Sequence, residues 1–120
     1  MNQRETGKKY ERLAAAYLQS HGVELLEQNY QNRLGEIDII GRHQGYLVFV
    51  EVKYRRTDAK GTPEEAVDYR KQQKICRVAD YYRCVKRVPE QTPVRYDVVA
   101  VCGEHCTWYP NAFDHIYARG

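Results

Sequence analysis

Two apolar stretches, residues 35–40 (GEIDII) and 46–53 (YLVFVEVK), separated only by residues 41–45, constrain this chain more than any other feature. Both are rich in β-branched and aromatic residues, and the glycines at 41 and 45 suit a hairpin connection, so the two are expected to pair as antiparallel strands. Four charged residues interrupt them. Side chains alternate between faces along a strand, so Glu36 and Asp38 are expected to share one face, with Ile37 and Ile39 on the other. The same parity groups Glu51 with Lys53, opposite Val48, Val50 and Val52. If the hairpin aligns these charged faces, three carboxylates and one ammonium converge at one edge of a sheet. Such a cluster repels itself and raises the proton affinity of at least one carboxyl unless a cation neutralises it.

The remaining pattern supplies the frame. Residues 8–21 place Tyr10, Leu13, Ala14, Tyr17 and Leu18 at helical spacing, and Gly22 follows as a stop. Residues 23–30 read as a loosely patterned strand before a turn at 31–35. Residues 57–61 read as a polar loop, and Thr62, Pro63 and Glu65 carry the cap, first-turn proline and capping-box glutamate of a helix start. A stronger helical stripe, Ile75, Val78, Ala79, Tyr82 and Val85, ends before Pro89. Residues 93–101 read as a strand, and residues 102–108 supply one more before an irregular tail containing Pro110. The order helix, three strands, helix, strand implies an α/β layer with a mixed sheet flanked by helices. At 120 residues, without a linker or repeat, the expectation is a single domain over 1–120.

Charge adds a second theme. The net charge of +3 is modest, but Arg70, Lys71, Lys74, Arg77, Arg83, Lys86 and Arg87 fall in one segment opposed only by Asp80, and Lys53, Arg55 and Arg56 form a shorter run beside the charged strands. Clusters of this kind attract phosphate backbones, and eleven tyrosines offer stacking surfaces. A solvated helix face explains the longer cluster equally well. No run approaches the roughly 20 apolar residues that span a bilayer, and the polar start lacks a signal peptide's apolar segment, so a cytoplasmic protein without a membrane partner is expected. Cys76, Cys84, Cys102 and Cys106 are then expected as free thiols. Cys102, His105 and Cys106 have half the spacing of a zinc site, with no second half.

Mg²⁺ or Mn²⁺ is the natural cation for the carboxylate cluster, because Mg²⁺ takes oxygen ligands, keeps several waters and needs only one or two protein carboxylates beside substrate phosphate oxygens. Asp38 and Glu51 fit that role. A metal there would polarise a phosphodiester and acidify a bound water. Lys53 could orient the water or stabilise negative charge that develops in the transition state. Glu11 borders the apolar stripe of the first helix, where it could reach the sheet edge or face solvent. Taken alone, Glu51 and Lys53 also fit a plain charge pair on an exposed strand face. Acids in two consecutive, otherwise core-like strands point to chemistry.

The pattern of Asp38 followed by Glu51-Val52-Lys53 resembles the PD-(D/E)xK nuclease superfamily, and residues 7–11 followed by these strands are similar to archaeal Holliday junction resolvases. The resemblance is closer to the YraN family of endonuclease-like bacterial proteins. It covers nearly the whole chain, through Gly7, Glu11, Ala14, Tyr17, Leu18, Asn29, the two charged strands, Lys71, Ala79, residues 95–101 (RYDVVAV) and residues 111–113 (NAF). It implies a restriction-endonuclease-like core of order αβββαβ. It also implies a metal site of Glu11, Asp38 and Glu51 with Lys53 as the catalytic lysine, Glu36 and Lys71 as accessory residues, and DNA as substrate, held in part by Arg55, Arg56, Lys71 and Lys74. The branched or flapped DNA that such relatives cut would favour a homodimer, for which no sequence feature identifies a face. A non-catalytic nucleic-acid-binding module on the same fold is the alternative.

Overall fold

The charged hairpin lies at the centre of the fold in the computed structural model, which describes residues 3–56 and 67–119. The loop expected at 57–61 and the helix start at Thr62, Pro63 and Glu65 lie outside those residues. The elements are α1 (Gln3–Ser20), β1 (Glu24–Asn32), β2 (Gly35–His43), β3 (Tyr46–Tyr54), α2 (Tyr69–Val85), β4 (Val94–Cys102) and β5 (His105–Phe113). The sheet runs in order β1-β2-β3-β4-β5. Every neighbouring pair is antiparallel except β3 and β4, which are parallel. A parallel pair needs a long crossover, and α2 lies within it. The fold is therefore a mixed α/β sheet flanked by two helices, as expected, with β5 extending the expected order.

The two helices cover opposite faces of the sheet. Ala14, Ala15 and Leu18 of α1 pack on Ile39, Val48, Val50, Val99 and Val101. Ile75, Cys76, Val78, Ala79 and Tyr82 of α2 pack on Ile37, Ile40, Leu47, Phe49, Tyr96 and Val98. Because β3 is covered on both sides, residues 47–50 form one unbroken buried run. Tyr96 anchors the α2 side, stacked between Phe49 at 5.7 Å and Phe113 at 5.1 Å. Burying side chains of this size contributes about 1.5–3 kcal/mol each.

Local chemistry explains the boundaries. α1 stops where the Gly22 and Val23 amides turn back to the carbonyls of Gln19 and Leu18, and Gly22 takes φ +93°, which a side chain resists. Asp68 caps α2 by accepting from the Lys71 amide at 2.8 Å. The β2–β3 connection is shorter than expected: β2 runs through Gly41 to His43, and only Gln44 and Gly45, both at positive φ, make the turn. Pro110 sits inside β5 instead of an irregular tail, which an edge strand tolerates. Val85, read as part of the apolar stripe, is 56% exposed. The segment after β5 is fastened back over α2. Arg77 donates to the Ile116 carbonyl, the Ile116 amide to the Cys76 sulfur at 3.4 Å, and Tyr96 Oη meets His115 Nδ1 at 2.6 Å.

One parity expectation fails. Ile37 packs under α2 but Ile39 packs under α1, so they do not share a face. The β2–β3 ladder begins at Ile39 and Val50, and before it the Asp38 carboxylate accepts the Val52 amide at 2.8 Å. On the other side the register leaves Asn29, at φ +53°, opposite Asp38. The strands part where Asp38 takes a backbone donor, and the alternation resets there.

Candidate functional site

The irregularity at Asp38 organises a corner of the molecule onto which four elements converge. Asp38 comes from the start of β2, Glu51 from the second half of β3, Glu11 from α1 and Lys71 from the first turns of α2. One Asp38 oxygen is fixed by the Val52 amide. Glu51 lies on the α2 side of β3, alternating with Leu47 and Phe49, and its carboxylate is 3.9 Å from the Lys71 ammonium. Lys53, one step further on the same side, is exposed.

Electrostatics show these groups to be mutually frustrated. Burial pushes the Glu51 carboxyl up to about 7, and the Asp38 charge adds to this, although Lys71 and Lys53 pull it down. Burial also raises Asp38, with the Val52 amide opposing and Glu36 reinforcing the shift. Glu11 is raised by burial and then by Asp38, against a hydrogen bond from Asn29. The Glu11–Asp38 contact pushes Glu11 up and Asp38 down. The fold thus holds three acids where each would be eased by a cation.

Glu36 stands apart from this trio. It is exposed, and its carboxylate accepts from Gln31 Nε2 at 3.1 Å across the β1–β2 pair. Together they form a partition between two clefts of similar size. One, of about 420 Å³, lies against α1 and is lined by Gly7, Lys8, Glu11, Asn29, Gln31 and Glu36. The other, of about 390 Å³, lies against α2 and is lined by Gln31, Asn32, Gly35, Glu36, Lys71 and Lys74. Arg55, half-buried, continues the β3–β4 pairing by donating its amide to the Val101 carbonyl, and Arg56 is exposed just beyond. On the α1 side Tyr10 and Tyr54 stack at 4.2 Å, next in sequence to Glu11 and Lys53.

Among the described residues, no three acidic, cysteine or histidine side chains form a ready-made metal cage. Mg²⁺ demands less than a full cage, and the Asp38 and Glu51 pair, with Glu11 one hydrogen bond from Asp38, has the hard oxygen donors it takes. The Cys102, His105 and Cys106 cluster sits on the β4–β5 hairpin with Cys102 facing His105 and Val101 facing Cys106, and all four cysteines are free. Among the described residues, no helix is long and apolar enough to cross a membrane.

Two features escaped the sequence reading. Asn29 entered only through resemblance, yet it bonds Glu11, and its asparagine identity suits the positive φ opposite Asp38. On β4, Asp97, which pairs with Val50 next to Glu51, accepts from Arg95 Nε and Nη2, Trp108 Nε1 and the Asn111 amide, each at 2.9 Å. Arg95 also meets His43 Nδ1 at 3.0 Å and lies over the Tyr46 and Trp108 rings. The only warning in the sequence was charge inside a strand pattern at 95–101, the same signal that marked Glu51.

Fold and corner together define a mixed α/β protein compatible with a nuclease-like core, with acidic and lysine side chains gathered where β2 and β3 part. The chain belongs to the family described as Uncharacterised protein family UPF0102, whose profile matches residues 10–101. It is 51% identical over 114 residues to a UPF0102 protein of Lachnoclostridium phytofermentans, covering 95% of this chain and 97% of that one. A UPF0102 protein of Legionella pneumophila is 43% identical over 92% of this chain and 95% of its own length. One from Thermodesulfovibrio yellowstonii is 41% identical over 91% and 96%.

Proposed function

We propose that this protein is a Mg²⁺- or Mn²⁺-dependent nuclease that hydrolyses phosphodiester bonds in DNA, with branched or flapped DNA as the substrate class. The observation that carries the reading is Asp38, held by the Val52 amide where β2 and β3 part, with Glu51 on the neighbouring strand 3.9 Å from Lys71. The likeness of the GEIDII and VFVEVK strands, residues 35–40 and 48–53, to YraN and PD-(D/E)xK nucleases supports it.

Asp38 and Glu51 would hold the ion, with Glu11 as accessory ligand. When bound, the metal supplies Lewis-acid charge and an acidified water. The chain's own contributions follow from position. Asp38 keeps one oxygen on the Val52 amide, so its carboxylate is oriented before any ligand arrives. Lys53, on the Glu51 side of β3, stabilises charge developing on the phosphoryl oxygens. Lys71 offsets part of the Glu51 charge in the free protein and, with Lys74, faces phosphate from the α2 cleft. Arg55 and Arg56 extend the cationic surface beyond β3, and a symmetric homodimer would allow two strands to be cut.

The test is cleavage of branched, flapped and single-stranded DNA with Mg²⁺ or Mn²⁺ by the wild type, Asp38→Ala and Lys53→Ala. The wild type alone is expected to cut. Equal cleavage by all three would assign the activity to a contaminant. Salt-sensitive DNA binding without turnover would favour the non-catalytic binding module.

A further inference from the structure

Only part of the basic segment at 70–87 serves the acidic corner. At about 3.6 residues per turn, Lys71, Lys74, Arg70 and Arg77 follow one another around α2. They run from the flank that lines the α2 cleft, across the solvent side, to the opposite flank. On that opposite flank lies a third cleft, of about 330 Å³, between Tyr69, Gln73 and Arg77 of α2 and residues 116–119. Two guanidinium groups, those of Arg77 and Arg119, line it, and among the described residues no carboxylate does.

Each wall of this cleft carries a bare tyrosine: Tyr69 is 62% and Tyr117 83% exposed. The wall after β5 is fastened in place. Arg77 donates to the Ile116 carbonyl, and the Ile116 amide donates to Cys76 Sγ at 3.4 Å. His115, bonded to Tyr96 Oη at 2.6 Å, meets the Tyr117 ring nearly at right angles, with 4.7 Å between centroids. Asp80, 3.2 Å from Arg77, offsets part of that charge, while Arg119 is exposed. One exposed ring needs no explanation by itself. Two rings set among arginines, with no acid in the lining, form the combination that holds unpaired nucleotides, because rings stack on base faces and guanidinium groups receive phosphate. A continuous duplex keeps its base faces covered and cannot use such a cleft.

We infer that this cleft is a subsite for unpaired nucleotides of a single-stranded arm, with Tyr69 and Tyr117 stacking on bases and Arg77 and Arg119 receiving phosphate. The basic face of α2 leads the arm there from the α2 cleft. This rests on the nucleic-acid reading above and names the residues that would select flapped or branched DNA over a continuous duplex.

The experiment uses the full-length protein with Ca²⁺ in place of Mg²⁺, so that the DNA stays intact. Fluorescence anisotropy compares a labelled duplex carrying a single-stranded arm with a blunt duplex of the same sequence. Wild type should bind the armed duplex about tenfold more tightly, a difference of about 1.4 kcal/mol. The double variant Tyr69→Ala, Tyr117→Ala should lose that preference and keep its affinity for the blunt duplex within about twofold. Tyr69→Phe with Tyr117→Phe keeps both rings and should retain the preference. Arg119→Gln should reduce the salt slope for the armed duplex by about one and leave that for the blunt duplex unchanged. Thermal melting of each variant separates loss of the subsite from loss of the fold. Equal affinity of wild type for the two DNAs would overturn the subsite, as would a preference that survives the double alanine change. A change in sedimentation of the DNA-free protein on that double change would assign the cleft to self-association and overturn it as well. Cleavage with Mg²⁺ or Mn²⁺ would leave hydrolysis standing in all three cases. A preference lost in the double alanine variant, without cleavage by wild type, would sustain the subsite and sink hydrolysis alone. Absence of any DNA binding would overturn both readings.

Discussion

Two clusters of charge sit on one sheet, close enough that Asp97 pairs with Val50 next to Glu51, and they solve the problem of burial in opposite ways. On β4, Asp97 is 1% and Arg95 8% exposed. The carboxylate receives four hydrogen bonds there and the guanidinium is bracketed by aromatic rings. Every charge has its opposite. At the acidic corner, Glu11, Asp38 and Glu51 are each more easily protonated than a free carboxyl, and Lys71 offsets only part of the repulsion. Buried charge with complete partners maintains a fold. Buried charge left short of a cation is where function is expected.

The largest effect should fall on the satisfied cluster. Asp97→Ala strands Arg95 without its counterion and should destabilise the protein by about 3–5 kcal/mol, read by urea unfolding. A comparable loss from Asp38→Ala, tested the same way, would erase the distinction between the two clusters.

The acidic corner should respond in turnover. Lys53→Ala should lower metal-dependent DNA cleavage by about 10²–10³-fold, the magnitude of removing one transition-state charge stabiliser, with little change in the unfolding midpoint. Unchanged cleavage would remove Lys53 from the chemistry.

The pH response sharpens the contrast further. The folded Glu51 value, about 7, lies above its unfolded value, so without metal the folded state holds a proton that the unfolded state has released. Stability from this group is present at low pH and declines as pH rises to about 7. Wild type should therefore lose stability relative to Glu51→Gln between pH 5 and pH 8, and an unvarying difference would contradict the burial argument. Below pH 7 a metal must displace that proton, so Mn²⁺ affinity by calorimetry should rise about tenfold per pH unit and level off above it.

The smallest effect tests how complete the Asp97 network is. Trp108→Phe keeps a ring beside His43 and Arg95 but removes the indole donor to Asp97, and should cost about 0.5–1.5 kcal/mol in thermal or urea unfolding. No measurable cost would show that three donors suffice.

Much of the frame was legible because it rests on local periodicity. The α1 stripe ending at Gly22, the α2 stripe ending before Pro89 and the two β-branched strands each declare themselves over a few consecutive residues. Parity failed at Ile37 and Ile39 because it assumes an unbroken ladder, and the break at Asp38 depends on a side-chain bond to Val52, fourteen positions away. Val85 satisfied the helical period yet stayed exposed, since period alone does not fix which face the fold covers. Pro110 read as a breaker because only topology makes β5 an edge.

The sequence by itself determined that charge would interrupt two paired apolar strands, since residue identity and strand period are local properties. It could not distinguish the charge of Glu51 from that of Asp97, because both are acids inside buried strands. Tertiary structure decided between them by what it brought alongside: Arg95, Trp108 and the Asn111 amide around one, and Asp38 with Lys71 and the exposed Lys53 around the other. It also set Glu36 on the wall shared by two clefts, since which neighbours a side chain meets depends on the packing of four separate elements.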